Sequence, residues 1–180
     1  MNEPLPSFNS LLDLAIEIGM DLERNRKRFA LAESCTGGLA SGTLASVPGM
    51  SKYLCGSFVV YTEGTKKSWL GVPPEALLET GPVSRGVAEA MARRALELTP
   101  EAQIAVSITG HLGPHAPQDQ DGHAWIGRAQ RGGDKILVKA DLYQLDPFAK
   151  LTTSGRRLSR LLQATQIVLE TLRGEVAIGN

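Results

Sequence analysis

"AESCTGG" spans residues 32–38 and lies between the apolar run "RFALAE" (28–33) and the small-residue stretch "LASGTLASV" (39–47). The upstream run has strand character and ends in an acid, and the downstream stretch is small and apolar enough to pack as a helix. A strand, a tight glycine turn and a helix start aim backbone N–H groups and one hydroxyl at a single point. That geometry serves a phosphate cradle. It serves equally well a nucleophile beside an oxyanion hole, and the rest of the chain has to decide between them.

Before this unit, Phe8, Leu11, Leu12, Ala15, Ile16, Gly19 and Leu22 recur at helical spacing within 7–26, with Ser7 as N-cap. The "ERNRKR" run reads as a solvated helix end whose cations complement the helix dipole. After it, "VPGMS" breaks the chain and "GSFVVYT" (56–62) reads as a second strand. "GTKKSWLGV" predicts one or two helical turns that end before Pro73 and Pro74. Residues 84–98 form an amphipathic helix with Val87, Ala88, Met91, Ala95 and Leu98 on one face. "AQIAVSITG" (102–110) is a buried-type strand that delivers a glycine turn, and 111–122 has no apolar periodicity and reads as a loop. "HAWIGRAQ" and "KILVKADLYQ" make a hairpin about "RGGD", and a last helix covers about 154–173. A sheet sandwiched between helices accounts best for this mixed order.

Composition narrows the function classes. The chain has 180 residues, enough for a single domain with a real core. Nineteen basic residues balance nineteen acidic ones, so no bulk attraction to nucleic acid or an anionic membrane is expected. Cys35 and Cys55 make neither a disulfide framework nor a metal-site spacing. No stretch approaches the roughly 20 apolar residues of a membrane span. "MNEPLPSFNS" lacks the basic start and apolar core of a signal peptide, so a cytoplasmic protein is expected.

Three stretches together carry a family resemblance. "AESCTGG" is followed by "FVVYTEGTKKSWLGV", with Tyr61 and Lys66 in Tyr-x4-Lys spacing, then by "GPVSRGVAEAMA" and by "AVSITGHLGP" leading to "GHAWIG". This resembles the CinA C-terminal domain family, which includes the nicotinamide-nucleotide amidases, over about residues 8–172. The resemblance implies one domain across 1–180, a three-layer α/β/α sandwich with a mixed central sheet. It implies hydrolysis of the carboxamide of nicotinamide mononucleotide to nicotinic acid mononucleotide and ammonia. The family's serine nucleophile, lysine and tyrosine fall on Ser34, Lys66 and Tyr61, and an arginine ahead of its last helix falls on Arg157.

The residues support that chemistry on physical grounds. A serine does not ionise unaided near neutral pH, and no histidine lies in the two core motifs, so a Ser–Lys pair is the natural substitute. Lys66 then needs burial or a nearby cation to lower its pKa, with Tyr61 relaying the proton or holding the amine. N–H groups about Thr36, Gly37 and Gly38 are placed for an oxyanion, and Cys35, Thr109, Gly110 and Gly113 for the substrate wall. Cys35 reads as a small packing residue rather than a thiol nucleophile. Arg157 suits a phosphate, although Arg156 and Arg160 blur the assignment.

Two departures from the family pattern bear on substrate. The loop reads Gly110-His111-Leu112-Gly113-Pro114-His115-Ala116-Pro117, without the family's Gly-Gly pair and shorter than usual. "YTEGTK" moves an acid to Glu63, where it would raise the pKa of Lys66. His111, His115 and His123, with Asp119 and Asp121, match no compact metal motif, and no metal or cofactor is expected. The expected partner is a small-molecule substrate, a pyridine nucleotide, with no nucleic acid and no membrane, and with homo-oligomerisation left open. A homologue acting on another amide, or a non-catalytic nucleotide-binding or regulatory protein, is the alternative.

Overall fold

The computed structural model describes residues 6–148 and 150–177. Residues 1–5, read above for signal-peptide character, lie outside the described residues. The elements run α1 (Phe8–Asn25), β1 (Phe29–Glu33), α2 (Leu39–Ala45), β2 (Leu54–Val59), α3 (Glu63–Ser68), α4 (Pro74–Thr80) and α5 (Arg85–Glu97). They continue with β3 (Ile104–Gly110), β4 (His123–Gly132), β5 (Lys135–Gln144) and α6 (Thr153–Ala177).

The strands form one mixed sheet in the order β2-β1-β3-β4-β5. β2, β1 and β3 are parallel, and β4 and β5 add on as an antiparallel hairpin. β1 lies inside the sheet and is buried at every position. Its alternation sorts residue size by face. Phe29 and Leu31 join Ile104 and Val106 under Leu11, Ile18 and Leu22 of α1, Leu44 of α2 and Val168 and Leu172 of α6. Ala30, Ala32 and Ala105 meet Val87, Met91 and Leu96 of α5 on the other face, with Leu70 and Leu77 beside them. Small residues there let α5 come close. A Cβ on Gly127 of β4 would lie 2.2 Å from the Ala88 carbonyl oxygen, the same oxygen that accepts a 2.6 Å bond from Ser107. The result is a single α/β/α domain.

Three local differences from the sequence reading have physical causes. The turns of "GTKKSWLGV" end before Pro73 and Pro74 as expected, but a helix unread in the sequence, α4, starts at Pro74, where a helix N-terminus has no use for the missing N–H. The second strand begins at Leu54, with a register shift against β1 at its start, and stops at Val59; Val60 N–H still donates to the Glu33 carbonyl at 2.8 Å, and Tyr61 lies beyond the strand. The 111–122 loop carries a short 3-10 turn, Gln118–Gln120. Among the described residues no helix is long and apolar enough to cross a membrane.

Candidate active site

The carboxyl ends of the parallel strands β1, β2 and β3 share one edge of the sheet, the place where open α/β sheets bind ligands. Ser34 follows β1 directly, and its N–H extends the ladder by donating to the Ile108 carbonyl at 3.1 Å. The chain then turns on Gly37 (φ 61°) and Gly38 (φ 95°), left-handed conformations that favour glycine.

The turn excludes one of the two roles posed by "AESCTGG". Glu33, fully buried, folds its carboxylate under the start of α2. One oxygen accepts from the N–H groups of Gly38 and Ala40, each at 3.1 Å. The other accepts from Ser41 N–H at 2.9 Å and from Ser57 Oγ at 3.3 Å. The cradle is therefore filled by the chain's own anion, and the phosphate-cradle alternative gives way. Gly37 N–H donates to the Ser34 carbonyl at 3.0 Å, so the expected oxyanion donors at Gly37 and Gly38 are both engaged inside the turn. Cys35 N–H faces its own sulfur. Thr36 N–H has no acceptor among the described residues, and its buried hydroxyl likewise has no partner there.

Lys66 reaches Ser34 from α3. That short helix is fixed by a reciprocal cap between Thr62 and Thr65, which sets the lysine one turn in and facing the sheet edge. Its Nζ lies 2.7 Å from Ser34 Oγ and donates to the Val60 carbonyl at 3.3 Å. Only 2% of Lys66 is exposed, and burial pushes its pKa below the ordinary lysine value. Cys35 and Glu63 pull upward, and burial outweighs them. The Cys35 thiol is pushed up to about 12, chiefly by burial, so it is a protonated packing group at neutral pH.

The other expected site residues are brought to one cleft of about 200 Å³ at this edge, lined by Ser34, Lys66, Tyr61, Thr109, Gly113 and Arg157 among others. They do not all meet. The Tyr61 hydroxyl accepts from Arg157 Nη2 at 2.8 Å and bonds to neither Ser34 nor Lys66 among the described residues. Arg157 Nη1 donates to the Gly113 carbonyl, so this side chain ties α6 to two cleft walls. The Thr109 hydroxyl donates to the Pro82 carbonyl at 2.8 Å and holds the segment before α5. A Cβ on Gly110 would meet the His123 carbonyl at 3.0 Å, so glycine is needed there for strand pairing.

Two features escaped the sequence reading. One is the role of Glu33. The other is Arg160 of α6, which binds both Asp121 oxygens at 2.7 and 2.8 Å and donates to the Asp146 carbonyl at 3.0 Å. This pair fastens the 111–122 loop to α6, and the Arg160 hydrogen bonds hold the Asp121 carboxyl below the usual range. Burial lowers the His111 pKa, and the residue's backbone N–H is tied to the His123 carbonyl at 2.8 Å. No three His, Cys, Asp or Glu side chains converge on a metal-sized position among the described residues.

Comparison with known proteins gives the family. The model of the CinA C-terminal domain matches residues 12–174. The chain belongs to the CinA C-terminal domain family. Its relatives include a CinA-like protein of Myxococcus xanthus, 36% identical over 149 residues, which cover 79% of this chain and 35% of the relative. A CinA-like protein of Geobacter metallireducens is 44% identical over 107 residues, covering 58% of this chain and 26% of the relative. The chain thus spans about a third or less of the length of these curated relatives. Solved structures share its whole fold. A CinA superfamily protein from Klebsiella pneumoniae matches with a TM-score of 0.80 at 23% identity, covering 93% of this chain and 98% of that one. A competence/damage-inducible protein from Agrobacterium tumefaciens matches with a TM-score of 0.73 at 31% identity, covering 95% and 99%.

Proposed function

We propose that this CinA-family domain is an amidohydrolase that converts nicotinamide mononucleotide to nicotinic acid mononucleotide and ammonia. The observation that carries the reading is the 2.7 Å approach of a buried Lys66 amine to the Ser34 hydroxyl. In its neutral form the amine accepts the Ser34 proton while Oγ attacks the carboxamide carbon. The protonated amine then returns that proton to the leaving nitrogen, and ammonia departs from an acyl-serine ester. Water attacks the ester with Lys66 again as base, which releases the acid and restores the hydroxyl. Thr36 N–H is the turn donor left for the developing oxyanion, since Gly37 and Gly38 are engaged elsewhere.

Tyr61 and Arg157 act as a linked wall on this reading, not as the proton path. The 111–122 loop favours a second substrate class, another small amide, because Ala116 and Pro117 stand where the family carries flexible glycines. Ammonia release from nicotinamide mononucleotide and from a panel of small amides tests both. Release from the mononucleotide that disappears in S34A supports the first reading. Release from another amide alone moves the substrate, and release from none removes the enzyme assignment.

A further inference from the structure

The 112–116 segment that walls the Ser34 cleft has a second face. There it borders a larger cleft of about 370 Å³ whose opposite side is the first turns of α6. Small-molecule sites commonly measure roughly 300–1,000 Å³. The larger cleft falls within that range and the 200 Å³ cleft at Ser34 falls short of it.

Three charged side chains stand in the larger cleft: Asp121, Arg156 and Arg160. Asp121 and Arg160 neutralise one another through their two-pronged contact, and Arg156 adds a further positive charge beside that pair. Arg156 differs. The residue is half-buried and its backbone N–H is tied to the Thr152 carbonyl; its charge acts on the Asp121 carboxylate, but its guanidinium makes no hydrogen bond or close ion pair among the described residues. A guanidinium offers five donors and accepts nothing, so an oxyanion is the ligand chemistry that Arg156 suits. Thr153 and Gln118 add a hydroxyl and an amide to the same walls. Arg157, one residue on, has both terminal nitrogens already committed to Gly113 and Tyr61.

We propose that the Arg156 cleft is a phosphate subsite, receiving the phosphomonoester end of a substrate whose amide lies at Ser34 across the Gly113–Pro114 rim. The assignment rests on the amidase reading of Ser34 and Lys66. It makes Arg156, not Arg157, the residue that distinguishes phosphorylated from unphosphorylated amides.

The test compares kcat/KM for nicotinamide mononucleotide and nicotinamide riboside, which differ by the phosphate, in wild type, R156Q, R156K and R157Q. Loss of a charge-assisted contact is expected to lower the mononucleotide-to-riboside ratio about tenfold or more in R156Q, mainly through KM. R156K recovers part of the ratio, and R157Q moves both substrates together. A ratio within about twofold of wild type in R156Q, or one that collapses in R157Q instead, overturns the proposal. If neither substrate turns over, the amidase reading fails, and calorimetry with ribose 5-phosphate decides the subsite. Binding to wild type that weakens about tenfold in R156Q upholds an anion subsite; no binding to wild type, or equal binding to both, overturns it. Ribose 5-phosphate that binds through Arg156 without competing against the mononucleotide marks a separate phosphorylated ligand and overturns the substrate-end assignment.

Discussion

Lys66 and Ser34 are 32 residues apart in the chain and their reactive atoms are 2.7 Å apart in the fold. The lysine arrives on a capped turn of helix after β2 and the serine on the turn after β1, so the parallel pairing of the two strands brings them together. The amine is buried by the fold itself, and desolvation favours its neutral form. That relationship sets the first two predictions.

Ser34→Ala is expected to reduce ammonia release by roughly a thousandfold or more, as loss of a nucleophile does elsewhere. Cys35→Ala keeps the backbone and removes only a thiol held protonated by burial, so most of the turnover remains. Steady-state rates of the two variants check this, and the reverse pattern would assign the nucleophile to the sulfur.

The Lys66 pKa makes both activity and stability depend on pH in one direction. kcat/KM should rise with pH along a limb whose midpoint lies below 10.5, as the amine loses its proton. Stability follows the same sign. Between the lowered folded value and 10.5 the unfolded chain binds more protons than the folded one, so stability rises with pH across that window. Lys66→Met removes the buried amine. It should therefore melt above wild type at neutral pH, with the gap narrowing toward pH 10.5 in thermal scans.

Glu33→Gln tests the filled cradle. An amide accepts through one oxygen, whereas the carboxylate accepts from Gly38, Ala40, Ser41 and Ser57. At least one N–H is left facing an NH2 group, and the expected cost is about 2–3 kcal/mol in urea unfolding.

Much of this was open to inspection in the sequence, and the boundary is physical. β1 and β3 are short apolar runs buried on both faces, and α1 and α5 carry helical stripes, so local periodicity was enough to find them. Ser34, Lys66 and the glycine turn stand in short motifs, so the sequence singles them out, and the fold brings Lys66 and Ser34 into contact. Arg160 and Asp121 lie 39 residues apart with no motif between them, and only the packing of α6 on the loop makes them partners. Glu33 was visible as the end of a strand, but its work depends on where its side chain turns, which the letters do not encode. Tyr61 reads toward the lysine from spacing alone, yet the strand ends early and its hydroxyl meets Arg157.

Tyr61→Phe discriminates between those two roles. A proton relay would lose roughly a hundredfold in kcat when the hydroxyl goes. A wall residue bonded to Arg157 should lose less than about tenfold, chiefly in KM. The split between kcat and KM reads the difference directly.

Gly127→Ala probes the close approach of α5 to the sheet. The added methyl would fall 2.2 Å from the Ala88 oxygen and 2.4 Å from Ser107 Oγ, where neither neighbour is a free side-chain end. Overpacking of this kind should destabilise the fold by about 3 kcal/mol, measured as a lowered urea midpoint with the slope unchanged.

The Glu33 carboxylate has a further consequence. By binding Gly38 N–H it closes a ring that begins one residue before Ser34 and ends four residues after it. Ser34, Cys35, Thr36 and Gly37 are thereby strung between two fixed points, and the loop's freedom is removed during folding rather than on ligand arrival. A site clamped this way gives up little disorder when it captures a molecule, so more of the contact energy appears as affinity. The domain carries its rigidity as part of its own backbone, and a visiting anion is not needed to supply it.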